Sequence, residues 1–369
     1  MNEGSPCKIG KAFKRRWHYL FLLLVLVVFA LFNVPLPYYV MKPGSALPLD
    51  KLVTVEQGYH EQGRLMMTTV ALIKANVPVL AYGWLSPKAE ILSKHTVLGD
   101  VHNQNEYNHF QLEVMENSQE NAVINAFRVV GKPVIKEPQG VIVMGIVPGM
   151  PAEGRLRLGD CITGLDGKKI KTSQDLIDAL QKKRSGDVVA FDVERENEKV
   201  TVDMPLAALP KSKDNPNQKG SQIGIGISAM TKTALKTEPT VTFRTQNIGG
   251  PSAGLMFTLE IINQLTPTDL TGGHIIAGTG TVDEEGNVGQ IGGIQYKVIG
   301  AYKQGAKIFL APADIKPGDN NYALALQQVK RLQMDMQVVP VKTVKEAYEY
   351  LKGLPAPAHP VPGTLLHRQ

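Results

Sequence analysis

From Trp17 to Met41 the chain carries no formal charge, and the run from Tyr19 to Phe32 is almost wholly apolar. A run of this kind must be hidden from water, and a helix of about 20 such residues can span a bilayer. Trp17 and Tyr19 stand at one end and Tyr38 and Tyr39 at the other, where interfacial aromatics belong. Pro35 and Pro37 stop a helix near Val34. Five cations (Lys8, Lys11, Lys14, Arg15 and Arg16) precede the run. The positive-inside rule then puts residues 1–16 in the cytoplasm and everything after the span outside. The competing reading is a cleaved signal peptide. No clear A-x-A site follows the run, so an uncleaved anchor over residues 17–39 is expected.

The same cations explain the charge. The whole chain holds 40 basic and 34 acidic side chains, a net +6 that invites a nucleic-acid reading. Setting aside the five cations and Glu3 leaves 35 against 33, so no polyanion-binding surface is expected and nucleic acid is excluded as a partner. Two cysteines rule out a disulfide scaffold or a cysteine-rich zinc module. There is no GxxxxGK[ST], hence no P-loop ATPase within these 369 residues. That length suggests two or three domains at about 150 residues each.

Residues 50–115 read as mixed strands and loops, with a strand over Arg64–Ile73. Residues 112–131 read as a helix stopped by Gly131. Residues 139–205 differ in texture. A strand at Val141–Met144 leads to the turn Pro148-Gly149-Met150-Pro151, then to Cys161–Leu165 and the turn Asp166-Gly167. A helix over Ser173–Lys182 follows, with Ser173 as its cap. Strands Val188–Val193 and Lys199–Met204 join at Glu196-Asn197. Through GVIVMGIVPGMPAEGRLRLGDCITGLDGKKI this segment resembles a PDZ domain, a module that binds an extended peptide as an added strand beside a helix. The resemblance implies that Leu176, Ala179 and Leu180 line the groove.

Residues 208–220, polar and rich in Lys, Asn and Pro, read as a linker. Beyond it strands and helices alternate. Strands are expected at Ile223–Ser228, Val241–Arg244, His274–Ala277, Lys307–Leu310 and Gln337–Val341. Helices are expected after Pro251 and over Gln295–Lys303, Tyr322–Leu332 and Val344–Lys352. The class is α+β. Residues 356–369 read as a flexible tail.

Ser252, in Gly249-Gly250-Pro251-Ser252-Ala253-Gly254, precedes the apolar helix Leu255–Leu265. A hydroxyl there lies among unpaired backbone N–H groups at the positive end of the helix dipole, which can stabilise an oxyanion. A serine nucleophile needs a base. The eight histidines show no pairing signature with an aspartate or a GxSxG elbow. Lys297 falls in the first turn of a helix opened by Gly292-Gly293, where the dipole and burial would lower its pKa. Taken singly, Ser252 reads as a helix cap and Lys297 as a solvated lysine.

Together, GGPSAG and the lysine of IGGIQYK resemble the proteolytic domain of Lon-type peptidases, which use a Ser–Lys dyad. The resemblance implies Ser252 as nucleophile, Lys297 as general base and Thr279 as the hydroxyl supporting the lysine amine. VDEEGNVGQIGG fits as well, while Gly249 stands where many members have aspartate. GRLMMTTVAL and LEVMENSQENAVINAF look like the early hairpin and first helix of the same domain. The implied order is a transmembrane anchor, a Lon-type domain split into 50–130 and 221–355, and a PDZ domain inserted at 131–207. That order looks like the membrane-anchored PDZ–Lon-like proteases of Gram-positive bacteria, one type of which processes secreted peptide signals. The expectation is an ATP-independent serine endopeptidase at the outer face of the membrane, acting on peptides or flexible protein segments and needing no cofactor or metal. Lon-type domains often form rings, so a homo-oligomer is a further expected partner. Two rivals remain: a tethered peptide-binding scaffold with an inactive peptidase domain, and a Ser-His-Asp protease using a histidine such as His274.

Overall fold

The computed structural model describes residues 9–99, 104–195, 198–209, 223–245 and 248–355, with side chains from Trp17 onward except those of residues 105, 106 and 109. Residues 1–8 of the basic segment, the linker from 210, the join at Glu196-Asn197 and the tail at 356–369 lie outside the described residues. The chain divides into two units, residues 1–45 with 69–100 and residues 46–68 with 101–369.

Helix α1 (Ile9–Asn33) is followed by strands β1 (Tyr38–Pro48), β2 (Val53–Val55) and β3 (Arg64–Lys74), helix α2 (Val77–Leu85), strand β4 (Glu90–Ser93) and helix α3 (Lys94–Leu98). Among the described residues no helix is long and apolar enough to cross a membrane. The far bound of the anchor expected over 17–39 lies beyond the end of the helix. Helix α1 stops at Asn33 ahead of Pro35, and Tyr38 opens β1, with Tyr39 and Val40 buried. Strand β1 runs antiparallel to β4, from Tyr38 opposite Ser93 to Met41 opposite Glu90. Helices α2 and α3 fall where only strands and loops were expected. Asn76 caps α2 by accepting from the Val79 N–H, and Pro78 sits in its first turn.

Next come α4 (Gln104–Val129), β5 (Val134–Ile146), β6 (Cys161–Leu165), β7 (Lys168–Lys169), α5 (Ser173–Gln181), β8 (Val188–Arg195), β9 (Glu198–Pro205), β10 (Ala207–Ala208), β11 (Ile223–Gly224) and β12 (Ile227–Thr237). An antiparallel sheet in the order β12-β5-β6-β8-β9 closes over a core that includes Val141, Ile162, Phe191 and Ile225. The cap of α5 is Thr172, not Ser173. Thr172 accepts from the Asp175 N–H and Asp175 accepts from the Thr172 N–H, a reciprocal capping box. The Ser173 hydroxyl lies instead 3.2 Å from that of Thr231. The boundary expected at 221 also shifts, since Ile225 belongs to this core and β12 pairs along β5 from Ile227 opposite Ile146 to Thr237 opposite Val134.

The remainder is β13 (Val241–Phe243), α6 (Gly254–Leu265), β14 (Ile275–Gly278), β15 (Thr281–Val282), β16 (Val288–Gly289), α7 (Ile294–Lys303), β17 (Ile308–Pro312), α8 (Asn321–Arg331), β18 (Gln337–Val341) and α9 (Val344–Lys352). Strand β14 lies parallel to β17 and to Arg64–Met67 of β3, and β17 lies parallel to β18. Segments before and after the β5–β12 region therefore share one sheet. Helix α6 is buried almost throughout and packs against α4, β2 and α9. It lies so close to β14 that a Cβ at Gly278 would come 2.5 Å from Met256 Sδ.

Candidate active site

The loop before α6 is held from several directions. Gly250 takes a positive φ of 94°, and its N–H donates to the Gln111 carbonyl on α4 at 2.8 Å. Ser118, also on α4, donates to the Pro251 carbonyl at 2.9 Å. The Ser252 carbonyl accepts from Thr279 Oγ1 and from the Gly280 N–H, both at 2.9 Å. A side chain at Gly249 would meet Gln111 Cβ at 2.7 Å, which accounts for the glycine there. Ser252 is not in the first turn: α6 starts at Gly254 with Ala253 at its cap. Its hydroxyl is therefore not used as a cap.

Lys297 enters from α7, whose cap Gly293 is left-handed at φ 69°. The loop before this helix is pinned by Asn321, which accepts from the Ile291 N–H and donates to the Ile291 carbonyl. The lysine is 2% exposed. Its Nζ lies 2.6 Å from Ser252 Oγ and 2.9 Å from Thr279 Oγ1. Burial pushes its pKa down to about 7, because a charged amine loses its hydration there. The three expected residues thus meet at one point. Among the described residues no histidine hydrogen-bonds Ser252, and His274 Nε2 pairs instead with the Pro355 carbonyl at 2.7 Å.

A neutral amine 2.6 Å from a hydroxyl can take its proton as the oxygen attacks a carbonyl. Among the described residues the N–H groups of Ser252 and Ala253 have no acceptor, which leaves them open to a developing oxyanion. No group of three or more His, Cys, Asp or Glu side chains is placed to hold a metal ion among the described residues. The supporting face of α4 was missed by the sequence reading. Ser118, Asn121 and Asn125 share one face, and the two asparagines donate to the carbonyls of Val282 and Asp283.

Away from the dyad, a groove of about 240 Å³ runs between α5 and β11–β12, lined by Leu176, Ile177 and Leu180 on the helix side and Ile223 and Ile227 on the strand side. Ala179, expected to line it, packs on the core of the β12–β9 sheet, and Ile177 takes its place.

A family model for the PDZ domain matches residues 111–206, and one for the Lon protease (S16) C-terminal proteolytic domain matches residues 246–352. The Lon protease of Mesomycoplasma hyopneumoniae (strain 232) is 37% identical over 102 residues, covering 28% of this chain and 11% of that protein. The Lon protease of Methanosphaera stadtmanae is 26% identical over 210 residues, covering 56% of this chain and 19% of that protein. The chain thus spans less than a fifth of the length of these relatives. The PDZ domain of an SdrC-like protein from Listeria monocytogenes is 33% identical, covering 25% of this chain and 87% of that domain at a TM-score of 0.22. Residues 111–206 are thus similar to PDZ domains and residues 246–352 to the C-terminal proteolytic domain of the Lon proteases.

Proposed function

We propose that the protein is an ATP-independent serine endopeptidase anchored in a membrane, with its catalytic part on the outer side, that cuts short or flexible peptide segments, secreted signal peptides among them. The observation that carries this reading is the contact between the buried Lys297 amine and the Ser252 hydroxyl. Ser252 Oγ attacks the scissile carbonyl as its proton passes to Lys297 Nζ. The N–H groups of Ser252 and Ala253 hold the oxyanion. The lysine ammonium then gives its proton to the leaving amine, and water releases the acyl group by the same relay.

These 369 residues hold no GxxxxGK[ST] motif, and a peptidase domain acting with them alone suits segments that need no unfolding. Helix α1 supports the anchor. From Trp17 its side chains carry no formal charge, and its large apolar residues are exposed. The groove beside α5 supports presentation of substrate as an added strand. Both dyad residues are present and in contact, which weighs against an inactive scaffold. Ser252→Ala and Lys297→Ala should each abolish cleavage of a fluorogenic peptide while circular dichroism stays unchanged. Full activity in either variant would sink the dyad.

A further inference from the structure

Helix α2, VPVLAYGWL, has no charged residue and no polar face. A helix apolar all round belongs in a core or in lipid. Only one side of α2 is covered. Gly83 is its buried residue, and a Cβ there would come 2.9 Å from Ile91 Cγ1 and 3.0 Å from Val40 Cγ2, so this side lies flat on β1 and β4. On the other side Trp84 is 83% and Leu85 76% exposed, with Tyr82 and Val77 also outward. Four large apolar side chains on one short helix leave a patch that requires a cover.

Three observations choose the cover. The patch begins where α1 ends: Asn76 Nδ2 donates to the Phe32 carbonyl at 2.7 Å, and the Leu36 N–H donates to the Ala75 carbonyl at 2.8 Å. Asn76 also caps α2 through its Oδ1, so one side chain ties the end of α1 to the start of α2. Charge is the second. Over residues 34–45 and 69–100 the sequence sets four lysines, Lys42, Lys74, Lys88 and Lys94, against two acids, Glu90 and Asp100. Residue type is the third, since Trp and Tyr bodies with polar tips favour the headgroup level of a bilayer. Lys42 Nζ stands 6.0 Å from the Tyr82 ring centroid, within reach of the same level.

We propose that α2 is a second membrane contact, an interfacial helix whose Trp84, Leu85 and Tyr82 dip into an anionic lipid surface beside the exit of α1. The placement rests on the anchor reading, because α1 sets the depth at which α2 meets the bilayer. The helix has no polar face of its own, so its aromatic side chains at headgroup level set it in the interface, and surrounding lysines add attraction to anionic headgroups. With two attachment points, the chain just outside the membrane cannot swing freely about α1.

The chain has two tryptophans, so two variants separate the ideas. In full-length Trp17→Phe the remaining indole is Trp84, and in Trp84→Phe it is Trp17. Each is reconstituted in phosphatidylcholine–phosphatidylglycerol vesicles with and without brominated acyl chains. The expected result is a blue-shifted Trp84 emission that brominated lipid quenches, a quenching that Leu85→Asp in the Trp17→Phe background weakens. Quenched Trp17 with unquenched, red-shifted Trp84 overturns the contact and leaves the anchor standing. Blue-shifted Trp84 that bromine does not quench means a protein surface covers the patch, and also overturns it. If neither indole is quenched, anchor and contact both fall.

Discussion

At the residue scale the candidate site depends on one buried amine. In the proposed mechanism Lys297 is a base only when neutral, and burial lowers its pKa to about 7. The sign follows directly. Below that pH the amine is protonated and cannot accept the Ser252 proton, so kcat/KM for a short peptide should rise through an acid limb centred near pH 7 and level off above it. A limb near pH 10 would mean a hydrated lysine and would contradict the burial. Lys297→Arg should be inactive at every pH tested, since a guanidinium does not release its proton. Thr279 bonds both the lysine amine and the Ser252 carbonyl. Thr279→Val leaves these groups short of a partner at about 1–3 kcal/mol, or roughly five- to 150-fold in kcat, whereas Thr279→Ser should keep most activity. Equal kcat in Thr279→Val and wild type would remove Thr279 from the site. The meeting of Ser252, Lys297 and Thr279 was legible because each lies in a short glycine-rich motif next to a helix or strand end. The grip of α4 on the serine loop was not. Gln111 and Ser118 reach that loop, and Asn121 and Asn125 reach Val282 and Asp283, across more than a hundred residues of intervening chain, and polar residues on a helix read locally as a solvent face.

At the element scale most boundaries were readable from periodicity and caps, and the misses have local causes. Thr172 outcompetes Ser173 as the cap of α5 because only from position 172 does Asp175 close the reciprocal box. Thr172→Ala should therefore cost about 1 kcal/mol of stability in a denaturant titration and Ser173→Ala clearly less. Helix α2 escaped because an all-apolar stretch of its length shows no period to distinguish helix from strand. Helix α6 carries a feature no sequence pattern shows. Glu260, 1% exposed, faces Glu61, with Asp50 and Asp269 nearby, and among the described residues its Oε2 has no hydrogen-bond partner. Loss of hydration raises the pKa of both glutamates well above the ordinary carboxylate range, and their mutual repulsion adds to the rise at Glu61. A carboxyl raised in the folded state costs nothing below its unfolded pKa of about 4.5 and destabilises progressively as pH climbs towards its folded value. Thermal stability should thus be higher at pH 5.5 than at pH 8.5, and Glu260→Gln should narrow that difference by raising the melting temperature at pH 8.5. An unchanged pH dependence in Glu260→Gln would show that the pair is already solvated.

Across residues 101–369 the organising element is the two-stranded ribbon of β5 and β12. One end packs on the proteolytic core through Val134 and Leu235, and the other enters the PDZ core through Val141 and Ile227. An insertion is legible in sequence as a change of texture at both edges, yet its second edge was misplaced. The returning strand β12 lies beyond a polar stretch that looks like a terminus of the module, and only pairing with β5 assigns it. The ribbon offers a clean cut. Gly140 and Lys232 face each other in the ladder, so their Cα atoms are about 5 Å apart and a two-residue hairpin turn can join the strands. Removing residues 141–231 takes out every residue of the PDZ core and none of the two cores around Ser252 and Lys297. The shortened chain should fold, keep the contact between Lys297 and Ser252, and cleave a short fluorogenic peptide with kcat within a few-fold of the full protein. For a longer peptide able to reach the groove beside α5, KM should rise while kcat holds, because the lost interactions bind ground state and transition state alike. If the short peptide is no longer cut although the shortened chain folds, the PDZ domain is needed to assemble the dyad itself. If the long peptide shows no change in KM, the groove plays no part in presenting substrate.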